Sequence, residues 1–205
     1  MRATSLSSIA EALNLPVDRL EYLHRLGLLR DTSSSRRATT SKPAFVLDDV
    51  QRAIANLRWL VIVTPPNWQE LAAEGLLFAR FAERQRRTLE LMSLGQQIAF
   101  YVTRFSAFVA IANVLGKPVR KNVMWPGGVF PLAVPIEPSL VLEPKGGAKI
   151  SPLVSKLEFI HAKKHWAMAL RRTIVPLCEQ DFALIARHLK QQPDGRSRTT
   201  GRGSN

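Results

Sequence analysis

Cysteine is nearly absent from this chain: Cys178 is the single one in 205 residues. No intrachain disulfide can form, which suits a reducing compartment, and no multi-thiolate metal site can be assembled. A lone cysteine of this kind reads as a small buried hydrophobe rather than a redox sensor. Acidic residues are also scarce, with 16 Asp and Glu against 29 Lys and Arg, a net charge of +13. That balance points to an anionic partner, with nucleic acid first and an acidic membrane surface second. No long apolar run follows Met1-Arg2, so no signal peptide is expected. There is no GxSxG elbow, HExxH, Walker sequence or dinucleotide fingerprint, so neither an enzyme nor a cofactor is expected. His161 and His165 lie four apart, a metal-ligand spacing on a helix. Lys163 and Lys164 between them would repel a cation, and a solvated pair with no metal is expected.

What is present begins with residues 5–29, which read as two short helices joined by a tight turn. Ser5 is a good N-cap, and Leu6, Ile9, Ala10 and Leu13 line one apolar helix face. Pro16 disfavours helical geometry at the residue before it. A second helix follows with Val17, Leu20, Leu23 and Leu26 in three-residue steps, and Gly27 is placed to end it. Two such helices around a three-residue turn form a helix-turn-helix, whose second helix can enter a DNA major groove.

The second helix and its exit carry more than that spacing. Leu20, Tyr22, Arg25 and Gly27-Leu28-Leu29 agree with the start of the MerR family, which residues 4–62 resemble. The resemblance implies a basic wing, an aromatic residue and a helix opening on acids. Arg36-Arg37, Lys42, Phe45 and Leu47-Asp48-Asp49-Val50-Gln51 stand in those places. Three positions depart from the family: Glu21 where Arg is usual, Leu23 where an aromatic is usual, and a long Ser/Thr-rich wing over residues 31–43. Glu21 repels phosphate, although a carboxylate can accept a hydrogen bond from a cytosine amino group. A divergent relative, excisionase-like accessory proteins included, stays open.

The wing is expected to pair residues 28–30 with 44–47 across a polar tip. Residues 48–62 read as a third helix, with Val50, Ile54, Leu57, Leu60 and Val61 inward and Asp48-Asp49 in the acidic first turn. Thr64-Pro65-Pro66-Asn67 then reads as a helix stop and domain boundary. Over residues 68–92, the positions Leu71, Gly75, Phe78, Ala82, Gln85, Leu89 and Met92 alternate steps of four and three, the coiled-coil spacing. By resemblance, a long helix after the wing forms an antiparallel dimer. Leu71, Phe78, Ala82, Leu89 and Met92 are therefore the expected dimerisation residues, with packing inside one subunit as the alternative.

Residues 94–115 repeat the spacing at Leu94, Ile98, Tyr101, Phe105, Phe108, Ala112 and Leu115. Such a helix is apolar on most sides and would be buried. Gln96, Gln97, Arg104 and Asn113 argue against a membrane span. Residues 117–152 hold seven of the thirteen prolines and read as an insertion whose short β pieces are confined to edges or loops. Residues 153–173 and roughly 179–191 read as helices with a break at Pro176. The tail, 193–205, is basic and expected to be disordered, and Arg196, Arg198 and Arg202 could add non-specific DNA affinity.

The expectation is a mainly α protein. Residues 1–62 are a winged helix-turn-helix, 63–66 a linker, and 67–192 a helical dimerisation, partner or effector domain. The expected function is sequence-specific binding of double-stranded DNA, most simply as a MerR-like transcriptional regulator acting as a dimer in the cytoplasm at the nucleoid. The alternative is an accessory factor of a mobile element, excisionase-like or acting in partition or recombination, with the second half as a protein-interaction domain. Arg19, Tyr22 and Arg25 would face groove or backbone, and Ser7, Ser8, Arg36, Arg37 and Lys42 would hold phosphates. Residues 1–62 carry nine Lys/Arg and six Asp/Glu, whereas 63–205 carry twenty and ten. Most of the basic excess therefore lies outside the expected reading module.

Overall fold

A computed structural model of the chain describes residues 4–31 and 43–193. The chain divides into two compact units, Met1–Leu57 and Arg58–Asn205. The first holds three short helices, α1 (Leu6–Leu13), α2 (Val17–Arg25) and α3 (Leu47–Ala55). Ile9, Ala10, Leu20, Leu23, Leu29, Phe45, Val50 and Leu57 are its buried apolar residues. Phe45 pairs with Thr4 through reciprocal backbone hydrogen bonds of 2.8 Å, rather than with residues 28–30 as the sequence predicts.

The second unit overturns the mainly α expectation, because it is built on an eight-stranded mixed sheet. Its strands are β1 (Arg58–Val63), β2 (Phe78–Phe81), β3 (Gln97–Val102), β4 (Ala107–Val114), β5 (Val119–Trp125), β6 (Gly128–Val141), β7 (Ala148–Lys149) and β8 (Ile174–Leu177). The order is β2-β6-β4-β3-β1-β8, with β5 added on β6 and β7 on β4. β1 and β3 run parallel, and every other pairing is antiparallel. The helices of this unit are α4 (Pro65–Ala73), α5 (Arg86–Leu89) and α6 (Glu179–Lys190).

Each departure from expectation has a local cause. The predicted helix over 48–62 stops at Ala55, and Arg58 starts β1, whose residues Trp59 to Val63 are all buried. A run apolar on both faces serves a central strand as well as a helix, and its β-branched residues favour the strand. Thr64-Pro65-Pro66 starts α4 instead of stopping a helix. The Thr64 hydroxyl accepts from the Asn67 amide and Pro65 takes the first helical position, where a missing N–H costs nothing.

The coiled-coil helix over 68–92 does not form; α4, β2 and α5 replace it. Of the expected dimerisation residues, Leu71, Leu89 and Met92 are buried inside this unit, and Phe78 and Ala82 are half-buried. They line no common stripe. The apolar helix over 94–115 is likewise a hairpin, β3 and β4, turning at Thr103 to Ser106, where Arg104 and Ser106 have positive φ.

The Pro-rich insertion is the backbone of the sheet. β6 runs 14 residues, pairing β5 and β2 along its first half and β4 along its second. Pro135 sits where the partners change, and Pro138 lies beside the register shift against Ile111 and Ala112. Proline is tolerated at such interruptions. The helix expected over 153–173 is 3-10 structure over Lys163–Arg171 with a kink at His165, followed by β8 at the sheet's edge, where Pro176 is accommodated.

Two buried polar groups hold the elements in register. Gln96 Oε1 accepts from Trp59 Nε1 (2.7 Å) and from the Ser93 amide (3.0 Å), tying β1 to the turn before β3. Asp181, in the first turn of α6, accepts from the Glu158 and Phe159 amides at 2.7 and 2.9 Å and pins that irregular segment. Asp181→Ala strips both amides of their acceptor and is expected to cost about 2–4 kcal/mol, read as a lowered denaturant midpoint.

Burial pushes the Asp181 carboxyl above the usual carboxylate range, and the two amides pull it part of the way back. The folded chain therefore holds this proton more tightly than the unfolded chain. That contribution is fully present below the unfolded value, about 3.9, and is lost as pH rises through the raised folded value. The stability advantage of wild type over Asp181→Asn should decline through that window and stay flat above it. An advantage that grows with pH there would contradict the assignment.

Candidate nucleic-acid interface

The first unit presents its helix pair through two caps. At the start of α1 the Ser5 hydroxyl accepts from the Ser8 amide (3.2 Å), and the Ser8 hydroxyl lies 3.1 Å from it. α1 ends at Asn14, whose φ of 51° is left-handed, and Pro16 then starts α2 in extended geometry. These residues make the three-residue turn, and α1 packs on α2. At the far end of α2 the Leu28 amide reaches back to the Leu23 carbonyl (3.0 Å) and the Gly27 amide to His24 (2.8 Å). This Schellman closure needs a left-handed residue, and Gly27 supplies it at φ 74°.

His24 fastens the exit from α2. Its Nδ1 lies 3.0 Å from the Leu29 carbonyl, and its ring meets Phe45 edge-on at 5.0 Å. Phe45, named at sequence level only as the aromatic after the wing, thus packs behind α2 and pairs with Thr4.

With Leu20 and Leu23 buried, the solvent face of α2 is Asp18, Glu21 and Arg25. Arg25 is exposed in the last turn. Arg19 is folded down: its side chain is only 21% exposed, Nη2 lies 3.6 Å from the Asp18 carboxylate, and Nε is buried with no hydrogen-bond partner. Tyr22 is half-buried. Ser7 and Ser8 are exposed in the first turn of α1, Ser8 being engaged in the cap. The structure therefore brings Arg25, Glu21 and Asp18 to one helix face and leaves Arg19 flat beside it. Arg36, Arg37 and Lys42 lie outside the described residues.

The second unit offers less that resembles a reaction centre. Among the described residues no three His, Cys, Asp or Glu side chains gather as a metal site. His161 and His165 are exposed and share no α-helix. Cys178 caps α6, its Sγ accepting from the Asp181 amide at 3.4 Å; burial pushes its thiol up, so it stays protonated at neutral pH. An open groove of about 990 Å³ runs between α6 and the sheet, with Ile111, Leu140 and Phe182 on its floor and Arg187 and Lys190 on its rim. No helix among the described residues is long and apolar enough to cross a membrane.

No family model matches the chain. A UPF0310 protein from Pyrococcus abyssi is 27% identical over 141 residues, covering 62% of this chain and 95% of that protein. An NMR structure from Rhodopseudomonas palustris is similar with a TM-score of 0.45 at 15% identity, covering 64% of this chain and 92% of that one. A crystal structure from Agrobacterium tumefaciens has a TM-score of 0.44 at 15% identity, covering 68% and 98%. A hypothetical protein from Leishmania major has a TM-score of 0.44 at 15% identity, covering 65% and 94%.

The closure at Gly27 is directly testable. A Cβ there meets no atom within 4 Å, so Gly27→Ala isolates the cost of the left-handed backbone. The expected loss is about 1–2 kcal/mol, seen as faster amide hydrogen exchange across α2 with little change in the second unit.

Proposed function

We propose that the protein binds double-stranded DNA sequence-specifically, reading base edges with the solvent face of α2 and acting as a transcriptional regulator. The observation that supports this reading is the α1–turn–α2 geometry. Two short helices are closed at both ends and held rigidly around a three-residue turn, and one helix face is left polar and open. An α-helix of that kind fits the major groove. The net charge of +13 supplies the attraction to phosphate that any such reader needs. The coiled-coil route to a dimer disappears with the helix over 68–92, and the reading does not depend on it.

The chemistry of the exposed face narrows the sequence that would be read. Arg25 is the side chain suited to guanine O6 and N7. Glu21 and Asp18 accept hydrogen bonds and so favour a cytosine amino group over any acceptor edge. The face therefore suits a half-site rich in C·G pairs. Arg19, lying along Asp18, would strengthen binding by orienting that carboxylate and by touching phosphate if it swings out.

Selection from random duplexes, run with wild type and point variants at two salt concentrations, tests this reading. An enriched, C·G-containing motif that survives the higher salt is expected. Arg25→Ala should weaken binding to it by about 1–3 kcal/mol and relax preference at one guanine. Glu21→Ala should relax preference at a cytosine while slightly raising affinity for unrelated duplexes. Uniform binding that collapses with salt, with no enriched motif, would overturn sequence reading by α2.

A further inference from the structure

We propose that the β5–β6 hairpin of the second unit is a separate duplex-DNA contact, a two-stranded ribbon that grips phosphates with Lys117, Arg120 and Lys121 and lays Met124 and Val129 against base edges. The proposal rests on the DNA-binding reading above and adds a surface that the helix pair does not contain.

The inner face of this ribbon is anchored. Arg80, with a side chain 3% exposed, bonds the Glu74 carboxylate at 2.7 Å and donates to the Lys121 carbonyl at 3.2 Å. Its guanidinium also stacks 5.2 Å from the Phe78 ring centre and 5.9 Å from that of Trp125. Trp125 is buried and lies 5.3 Å from Phe130 across the hairpin. A buried charged clamp thus fixes β5 through the Lys121 backbone.

The exposed surface of the ribbon mixes cations with apolar side chains. Residues 119–122 and 124 are exposed, and Met124 and Val129 are direct cross-strand partners at 77% and 52% exposure. Across residues 115–130 there are three Lys or Arg and no Asp or Glu. The acid that touches the ribbon's cations is Glu83, which meets Arg120 at 3.1 Å and is shared with Arg86. Lys117 and Lys121 are therefore the fuller charges, with Lys121 lying 4.5 Å over the Phe78 ring. A two-stranded ribbon has the cross-section of the major groove, lysines at its edges reach the flanking phosphates, and an apolar tip meets thymine methyl groups. Among the described residues β5 pairs with β6 alone, and β2 joins the other edge of β6 from Leu132 to Pro135, so the two-stranded part of the ribbon is its tip, from Val123 to Phe130.

The test uses the full chain and a labelled random-sequence duplex titrated across a salt series. Lys117→Gln with Lys121→Gln should weaken binding and lower the slope of log affinity against log salt by about 2, close to one for each lysine–phosphate pair removed. Lys117→Glu alone, outside the Arg80 clamp, should weaken binding without changing the thermal midpoint. Met124→Ala should weaken binding less than tenfold and leave the salt slope unchanged. If wild type binds duplex and these variants match it in affinity and slope, the ribbon is not a contact, and the α2 reading stands untouched. Variants that bind as wild type but self-associate would mark the lysines as guards of an open strand edge and would also overturn the proposal. No duplex binding by wild type at low salt would remove both readings together.

Discussion

Everything in the second unit depends on β1 having no free side. It pairs parallel with β3 and antiparallel with β8, and all five residues from Trp59 to Val63 are buried. A strand in that position must be apolar on both faces. It must also satisfy any polar atom it carries, and Trp59 Nε1 does so on Gln96, itself only 2% exposed. The tie fixes where β3 starts, because Gln96 also accepts the Ser93 amide that closes the preceding turn. β3 in turn places β4, β4 places the second half of β6, and β6 carries β2 and β5 on its first half.

The same constraint explains what the sequence conceals. A doubly buried strand has no alternation, so residues 58–63, 97–102 and 107–114 read as featureless apolar runs. Any run with an apolar residue at most positions also contains steps of three and four. The heptad through Leu71, Phe78, Leu89 and Met92 arose in this way, from residues that sit in separate elements. Gly75 with its φ of 72° and Leu76 at 57° break the chain between α4 and β2, and only the glycine signalled that. Proline misled in the opposite sense. The Pro135 and Pro138 positions suggested loops, yet a long strand that changes partners has places where a missing N–H is harmless. Legible from the start were the elements with end signals. Ser5, Pro16 and Gly27 bracket α1 and α2, and residues 179–191 carry an acidic start and a basic finish around α6.

For the candidate site, residue type was readable and orientation was not. Arg19 and Arg25 look equivalent as letters in one helix. Six residues along an α-helix fall about 120° short of two full turns, so the two side chains leave in different directions. Arg25 reaches solvent, while Arg19 lies along Asp18 beside the buried Leu20 and Leu23. Glu21, one of the three departures from the resemblance, stands on the open face with Arg25.

Under the proposed reading, the charge on that open face bears on how the two units would divide the labour of binding. Two of its three charges are acidic, so α2 would gain discrimination between bases and lose attraction to the phosphates around them. The whole first unit holds eight Lys/Arg against six Asp/Glu, whereas the second, Arg58–Asn205, holds 21 against 10. Each phosphate neutralised releases roughly one counterion, and this sequence-blind term supplies most non-specific affinity. A reader that is nearly neutral by itself depends on charge held elsewhere in the chain. Under the proposed reading, specificity and affinity then reside in different units. Substitutions on α2 would change which duplex is chosen, and substitutions on the β5–β6 ribbon would change how tightly any duplex is held.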